Sequence, residues 1–160
     1  MNENEKLQQE NARTLAKAVV EALESKKAGE VKTLAVASKT VLADYFVVAT
    51  GTSSTHIRTP ADETEFHVQE TLGVKPLRVE GFSDNAWTLI DYGSVIVHVF
   101  TQSAREFYKL EKLWEDAQLD ERIILFFRKI LRRAEGARRL PALLPLLFYF
   151  QMIIIFRGHI

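Results

Sequence analysis

The chain has no cysteine in 160 residues, which removes disulfides, thiolate nucleophiles and thiolate metal sites together and favours a reducing compartment. The first residues, "MNENEKLQQENARTLAK", have neither the apolar core of a signal peptide nor the Arg-rich, acid-poor pattern of a transit peptide, so a cytoplasmic protein is expected. Glycine is also scarce where phosphate chemistry would need it. The stretch "DYFVVATGTSSTHIR" (44–58) holds one glycine, Gly51, whereas a dinucleotide loop needs three and a Walker loop needs Gly-Lys-Ser/Thr. The predicted strands carry no Asp-x-Asp or Asp-x-Glu pair, so the carboxylate clamp of two-metal nucleotidyl transfer has no candidates. Glu63 and Glu65 fall inside a predicted helix, where residues two apart do not face each other. The four histidines, His56, His67, His98 and His159, lack metal-ligand spacing. No metal and no cofactor are expected.

What the chain does contain is alternating helix and strand patterns. Leu7, Leu15, Val19, Ala22 and Leu23 recur at helical spacing, with Gly29 beyond them as a stop. "VKTLAVA" (31–37) and "DYFVVAT" (44–50) read as strands, the second apolar enough to be covered on both faces. Residues 53–72 have helical character interrupted by Pro60, which predicts a kink or a fresh start with Thr59 as cap. "PLRVEG" (76–81) alternates Leu77 and Val79 against Arg78 and Glu80, the pattern of a strand with one wet face. Strands at 87–91 and 94–100 flank the tight connection Asp91-Tyr92-Gly93-Ser94. Ser103 and Glu106 suggest a capping box for a last helix in which Phe107, Leu110 and Trp114 share a face. The sum is an α/β domain with a mixed β-sheet of about five strands flanked by helices.

Candidate chemistry is sparse. "GTSST" approaches the nucleophile-elbow pattern around Ser53, but Thr55 replaces its second glycine. Hydroxyls at the start of a helix usually accept its orphan N–H groups, so Ser53 reads first as a cap, with a weak anion contact at Ser53 and Ser54 left open. His98 alternates with Val97 and Val99 and shares a sheet face with Ile96 and Phe100, which favours a structural histidine held by one hydrogen bond. Trp87 opens a strand after the polar loop "FSDNA". It admits two readings, core packing or a partly exposed interface anchor.

Net charge is zero overall but unevenly placed. Residues 1–118 hold 13 Lys and Arg against 18 Asp and Glu, and the remainder 8 against 3. An acidic body disfavours direct binding to DNA or another phosphate backbone and complements a basic protein partner; it also simply keeps a domain soluble. From Leu119 the texture changes to a basic amphipathic stretch and then the apolar run "LPALLPLLFYFQMIIIF" (140–156). Seventeen residues with two prolines and a glutamine make a poor membrane span, and an appended segment is the preferred reading.

"DYFVVATGTSSTH", "RVEGFSDNAWTLIDYGSVIVHVF" and "SAREFYKLEKLW" together resemble the ribosomal silencing factor family, also called the Iojap family, over residues 7–116. The resemblance implies a nucleotidyltransferase-like fold without the catalytic carboxylates, and a protein that is not an enzyme. It implies binding to the large ribosomal subunit through its ribosomal protein number fourteen, blocking the small subunit and lowering translation when nutrients are short. Position by position it marks Trp87, Asp91 and Gly93 in "W-x-x-x-D-x-G", and Arg105, Tyr108, Leu110, Glu111 and Trp114 in the final helix. Trp87 is then the expected anchor, with Asp91, Tyr108 and Glu111 as polar contacts; self-association as a homodimer is compatible with it. Ser94 stands where the family usually has an acid, Pro60 where it prefers a helix former, and the domain is expected to end near Gln118. Two other readings follow from the residues: a small nucleotidyl or phosphoryl transferase using the turn from Gly51 to Thr55, and a membrane-associated adaptor using the C-terminal apolar run.

Overall fold

The computed structural model describes residues 1–40, 42–81 and 86–115. The chain divides into two compact units, Met1–Phe107 and Tyr108–Ile160, and the expected extension after Gln118 lies outside the described residues, as do the membrane readings that rest on it. Among the described residues no helix is long and apolar enough to cross a membrane. The elements run α1 (Glu3–Ser25), β1 (Gly29–Ala35), β2 (Tyr45–Gly51), α2 (Arg58–Leu72), β3 (Arg78–Glu80), β4 (Trp87–Asp91), β5 (Val95–Thr101), α3 (Gln102–Tyr108) and α4 (Leu110–Glu115).

α1 starts earlier than its apolar periodicity suggests because Asn2 and Glu5 form a capping box. The Asn2 side chain accepts from the Glu5 N–H and the Glu5 carboxylate accepts from the Asn2 N–H, both at 2.8 Å. Its end is not made by Gly29, which already belongs to β1. Lys27 takes the left-handed conformation instead (φ 58°), and Ala28 N–H closes on the Leu23 carbonyl at 3.1 Å. Pro60 does not kink α2. It sits in the first turn, where its missing N–H is not needed, and its carbonyl accepts the Thr64 hydroxyl at 2.7 Å. The helix begins at Arg58 with Ile57 at the cap and no side-chain cap bond, so Thr59 is not the cap.

The five strands form one sheet in the order β1-β2-β5-β4-β3, with β2 and β5 parallel and every other pair antiparallel. The central pair is buried almost throughout, which is why its sequence reads as continuous apolar runs rather than an alternation. On one face Val47, Ala49, Ile90, Val95, Val97 and Val99 pack with Leu15, Val19 and Leu23 of α1 and Ala61 and Val68 of α2. The register places Phe46, Val48, Trp87, Leu89, Ile96, His98 and Phe100 on the opposite face, and these too are buried. Leu77 departs from the expected alternation. The strand starts only at Arg78; the Leu77 N–H still donates to the Asp91 carbonyl at 2.7 Å, but the residue is 75% exposed with its side chain near Gly93.

Gly51 stands where the chain makes a close approach. A Cβ there would sit 3.0 Å from Ile57 Cγ1 and 3.1 Å from its backbone nitrogen, because the chain folds back over the end of β2 before α2 begins. The last helix is broken where one continuous helix was expected. Lys109, with φ 51°, separates α3 from α4, and the cap of α3 is Thr101, whose hydroxyl accepts the Ala104 N–H at 3.2 Å, rather than Ser103. Within α3, Gln102 reaches Glu106 at 2.7 Å.

Candidate functional site

The turn after β2 is built from its own hydroxyls and histidine. Ser53 Oγ accepts the His56 N–H at 3.1 Å and lies 2.9 Å from Thr55 Oγ1. His56 Nδ1 accepts the Thr52 N–H at 3.0 Å, which leaves the ring proton on Nε2, and Nε2 donates to the Lys26 carbonyl at 2.9 Å. The imidazole therefore ties the β2–α2 turn to the end of α1. Ser53 closes this turn on His56, ahead of α2, and is not the helix cap that the sequence suggested; "GTSSTH" is a joint between a buried strand and a helix.

A second group of conspicuous residues lies along β4 and β5. Trp87 is 3% exposed, which is the core-packing reading of the two and not the partly exposed ring. The register places it opposite Phe100, two residues from His98 on the same face. Its ring sits 4.8 Å from Phe100 and 5.8 Å from His98, and Phe46 closes edge-on against His98 at 5.2 Å. The indole N–H donates to His98 Nδ1 at 3.2 Å. That bond places the histidine proton on Nε2, an atom with no hydrogen-bond partner among the described residues. Burial lowers the His98 pKa to about 3, so the ring is neutral at ordinary pH. The sequence reading of His98 as a structural residue holds; what it missed was the partner.

Asp91 is also buried and occupied. One carboxylate oxygen accepts the Gly93 N–H at 2.8 Å, which shapes the turn to β5 around the left-handed Gly93 (φ 84°), and the other lies 3.4 Å from Arg78. Arg78 also reaches Glu80 at 3.3 Å. Burial raises the Glu80 pKa and the Asp91 charge adds to it, outweighing the nearby guanidinium. Beside this turn the Tyr92 hydroxyl is driven upward in pKa by burial and by the Glu65 charge. Arg105, 5% exposed, donates to the Glu30 carbonyl at 2.8 Å and to the Thr50 hydroxyl at 2.7 Å. The Glu30 carbonyl is presented by a bulge between Gly29 and Lys32 and by a left-handed Glu30 (φ 47°). Arg105 was marked only by the family motif, and its clasp on the ends of β1 and β2 had no sequence signal of its own.

In the second unit, Tyr108 is buried and Glu111 is half-buried, while Leu110 and Trp114 are buried at 0% and 2% exposure. Three of the four expected contact residues thus have little free surface: Trp87 in an aromatic cluster, Asp91 in a turn and an ion pair, Tyr108 buried. Among the described residues no group of three or more His, Cys, Asp or Glu could hold a metal ion.

These segments, in this order, meet the sequence profile of one family. The profile described as "Ribosomal silencing factor during starvation" matches residues 9–139. The chain belongs to the ribosomal silencing factor family. The match runs past Gln118, where the family-like domain was expected to end. The ribosomal silencing factor of Bacillus subtilis is 35% identical over 109 residues, spanning 68% of this chain and 92% of its own length. That of Halalkalibacterium halodurans is 39% identical over 103 residues, 64% of this chain and 87% of its own. A crystal structure of a Chromobacterium violaceum protein superposes with a TM-score of 0.62 at 31% identity, covering 66% of this chain and 88% of that one. A more distant relative, the mouse protein named "Mitochondrial assembly of ribosomal large subunit protein 1", is 27% identical over 107 residues. For a ribosomal silencing factor, the five-stranded mixed sheet with α1 and α2 on one face is the shared α/β framework.

Proposed function

We propose that this protein represses translation without chemistry, by binding the large ribosomal subunit through its ribosomal protein number fourteen and standing where the small subunit must dock. The observation that carries this reading is the family match over residues 9–139, supported by the relatives named as ribosomal silencing factors. The acidic balance of residues 1–118 suits a basic ribosomal protein as the point of attachment. In this reading Trp87 and Asp91 act as supports: one fixes β4 against β5, the other fixes the turn between them. Of the four residues that the family motif marks, Glu111, half-buried, keeps the most exposed side chain and is proposed as a direct contact, while Tyr108 is buried. No step of the action requires a nucleophile, a metal or turnover. The bacterial relatives named as ribosomal silencing factors support a cytoplasmic site of action.

The test is sedimentation of full-length protein with purified subunits. It is expected to travel with large subunits and to deplete the joined ribosome peak when small subunits are added. Undiminished joining at saturating protein refutes the reading. A Trp87→Ala variant is expected to bind more weakly through loosening of β4, and therefore to lose thermal stability in parallel. Weaker binding at unchanged stability would instead make Trp87 a direct contact.

A further inference from the structure

α2 turns one stripe of side chains away from the core. Pro60, Ala61, Thr64 and Val68 face inward, and Phe66, two residues from both Thr64 and Val68, is carried to the far side and is 63% exposed. Asp62 and Glu70, four residues before and after it, are exposed on the same stripe. The other carboxylates of the helix, Glu63 and Glu65, are half-buried. Glu63 pairs with Lys26 at 3.3 Å, and Glu65 lies within electrostatic range of Tyr92, with its own pKa raised by burial and by Asp62. The only Lys or Arg on the helix is Arg58, 3.7 Å from Asp62 with both side chains largely in water, and such a pair neutralises the stripe weakly.

We propose that the Asp62-Phe66-Glu70 stripe is a docking surface for a cationic protein surface, with Phe66 entering an apolar socket and the two carboxylates meeting Lys or Arg at its rim. Aromatic side chains, Phe among them, are enriched at interface cores, and the two carboxylates that flank Phe66 repel nucleic-acid phosphate while attracting basic protein. This inference rests on the large-subunit reading above and assigns the contact to a basic protein of that particle rather than to its RNA. It also supplies the free surface that Trp87, Asp91 and Tyr108 lack.

The experiment compares full-length wild type, Phe66→Ala and the double charge reversal Asp62→Lys/Glu70→Lys in sedimentation with purified large subunits. All three positions are exposed, and unchanged thermal unfolding checks that the fold is kept. Each variant is expected to lose at least tenfold in affinity. Unchanged affinity of either variant, with wild type still bound, overturns the stripe and leaves the large-subunit reading standing. Tighter binding of the charge reversal overturns it in favour of RNA. Failure of wild type to sediment removes the large-subunit reading, and this assignment with it.

Discussion

Burial decides the charge state of His98. Its pKa is lowered to about 3 by desolvation, below the ordinary value near 6.5, so between those limits the unfolded chain binds a proton that the folded chain refuses. Its contribution to stability is complete above pH 6.5 and falls as the pH drops towards 3, by on the order of 2 kcal/mol between pH 7 and pH 5. Glu65 and Glu80, raised by burial, act in the opposite sense. Comparison with a His98→Phe variant isolates the histidine: urea midpoints of wild type should fall between pH 7 and pH 5, and those of the variant should fall less. Equal slopes would show that folding does not lower the His98 pKa. Arg105 offers a second residue-level test. Arg105→Met leaves the Glu30 carbonyl and Thr50 hydroxyl without their buried donor and should cost about 2 kcal/mol of unfolding free energy by urea titration. Of these two residues, the strand alternation exposed the position of His98, because Val97 and Val99 flank it. Nothing local could have shown that Trp87 would donate to it. That bond depends on a register between two strands, which sequence periodicity does not fix.

At the scale of elements, the loops are fixed by where one backbone passes close to another. Gly51→Ala would press a methyl group against Ile57 and should destabilise by about 1–3 kcal/mol. Gly81→Ala should be worse, since φ is 100° and the new Cβ would overlap the Trp87 carbonyl. Thermal melts of the pair, ordered with Gly81→Ala lowest, check both; equal melting points would contradict the geometry. The helices and strands were largely readable, because β2 and β5 are apolar through their length and α1 and α2 repeat at helical spacing. The errors fall at ends. Asn2 and Glu5 carried a capping signal that the apolar pattern overshadowed. Lys27 and Lys109 adopt left-handed backbone where sequence preference would ask for glycine, so neither the end of α1 nor the break after α3 could be placed from composition. The candidate site was less legible than the fold. Phe66 stands out only once the inward face of α2 is known, because a lone phenylalanine in a helix ordinarily marks the core.

For the whole molecule, the proposed obstruction predicts stoichiometric repression. Subunit joining should fall in proportion to the fraction of large subunits occupied and level off near one protein per subunit; full repression by a small molar fraction of protein would indicate turnover instead. The same assembly has a temporal side. The centre of the sheet joins Tyr45–Gly51 to Val95–Thr101 in parallel, segments some fifty residues apart in the chain, and pairings so remote in sequence form late. While the polypeptide emerges from its own ribosome, β2 must wait for β5 before its second edge is satisfied. A nascent chain stalled before Val95 therefore lacks the strand that completes the centre of the sheet.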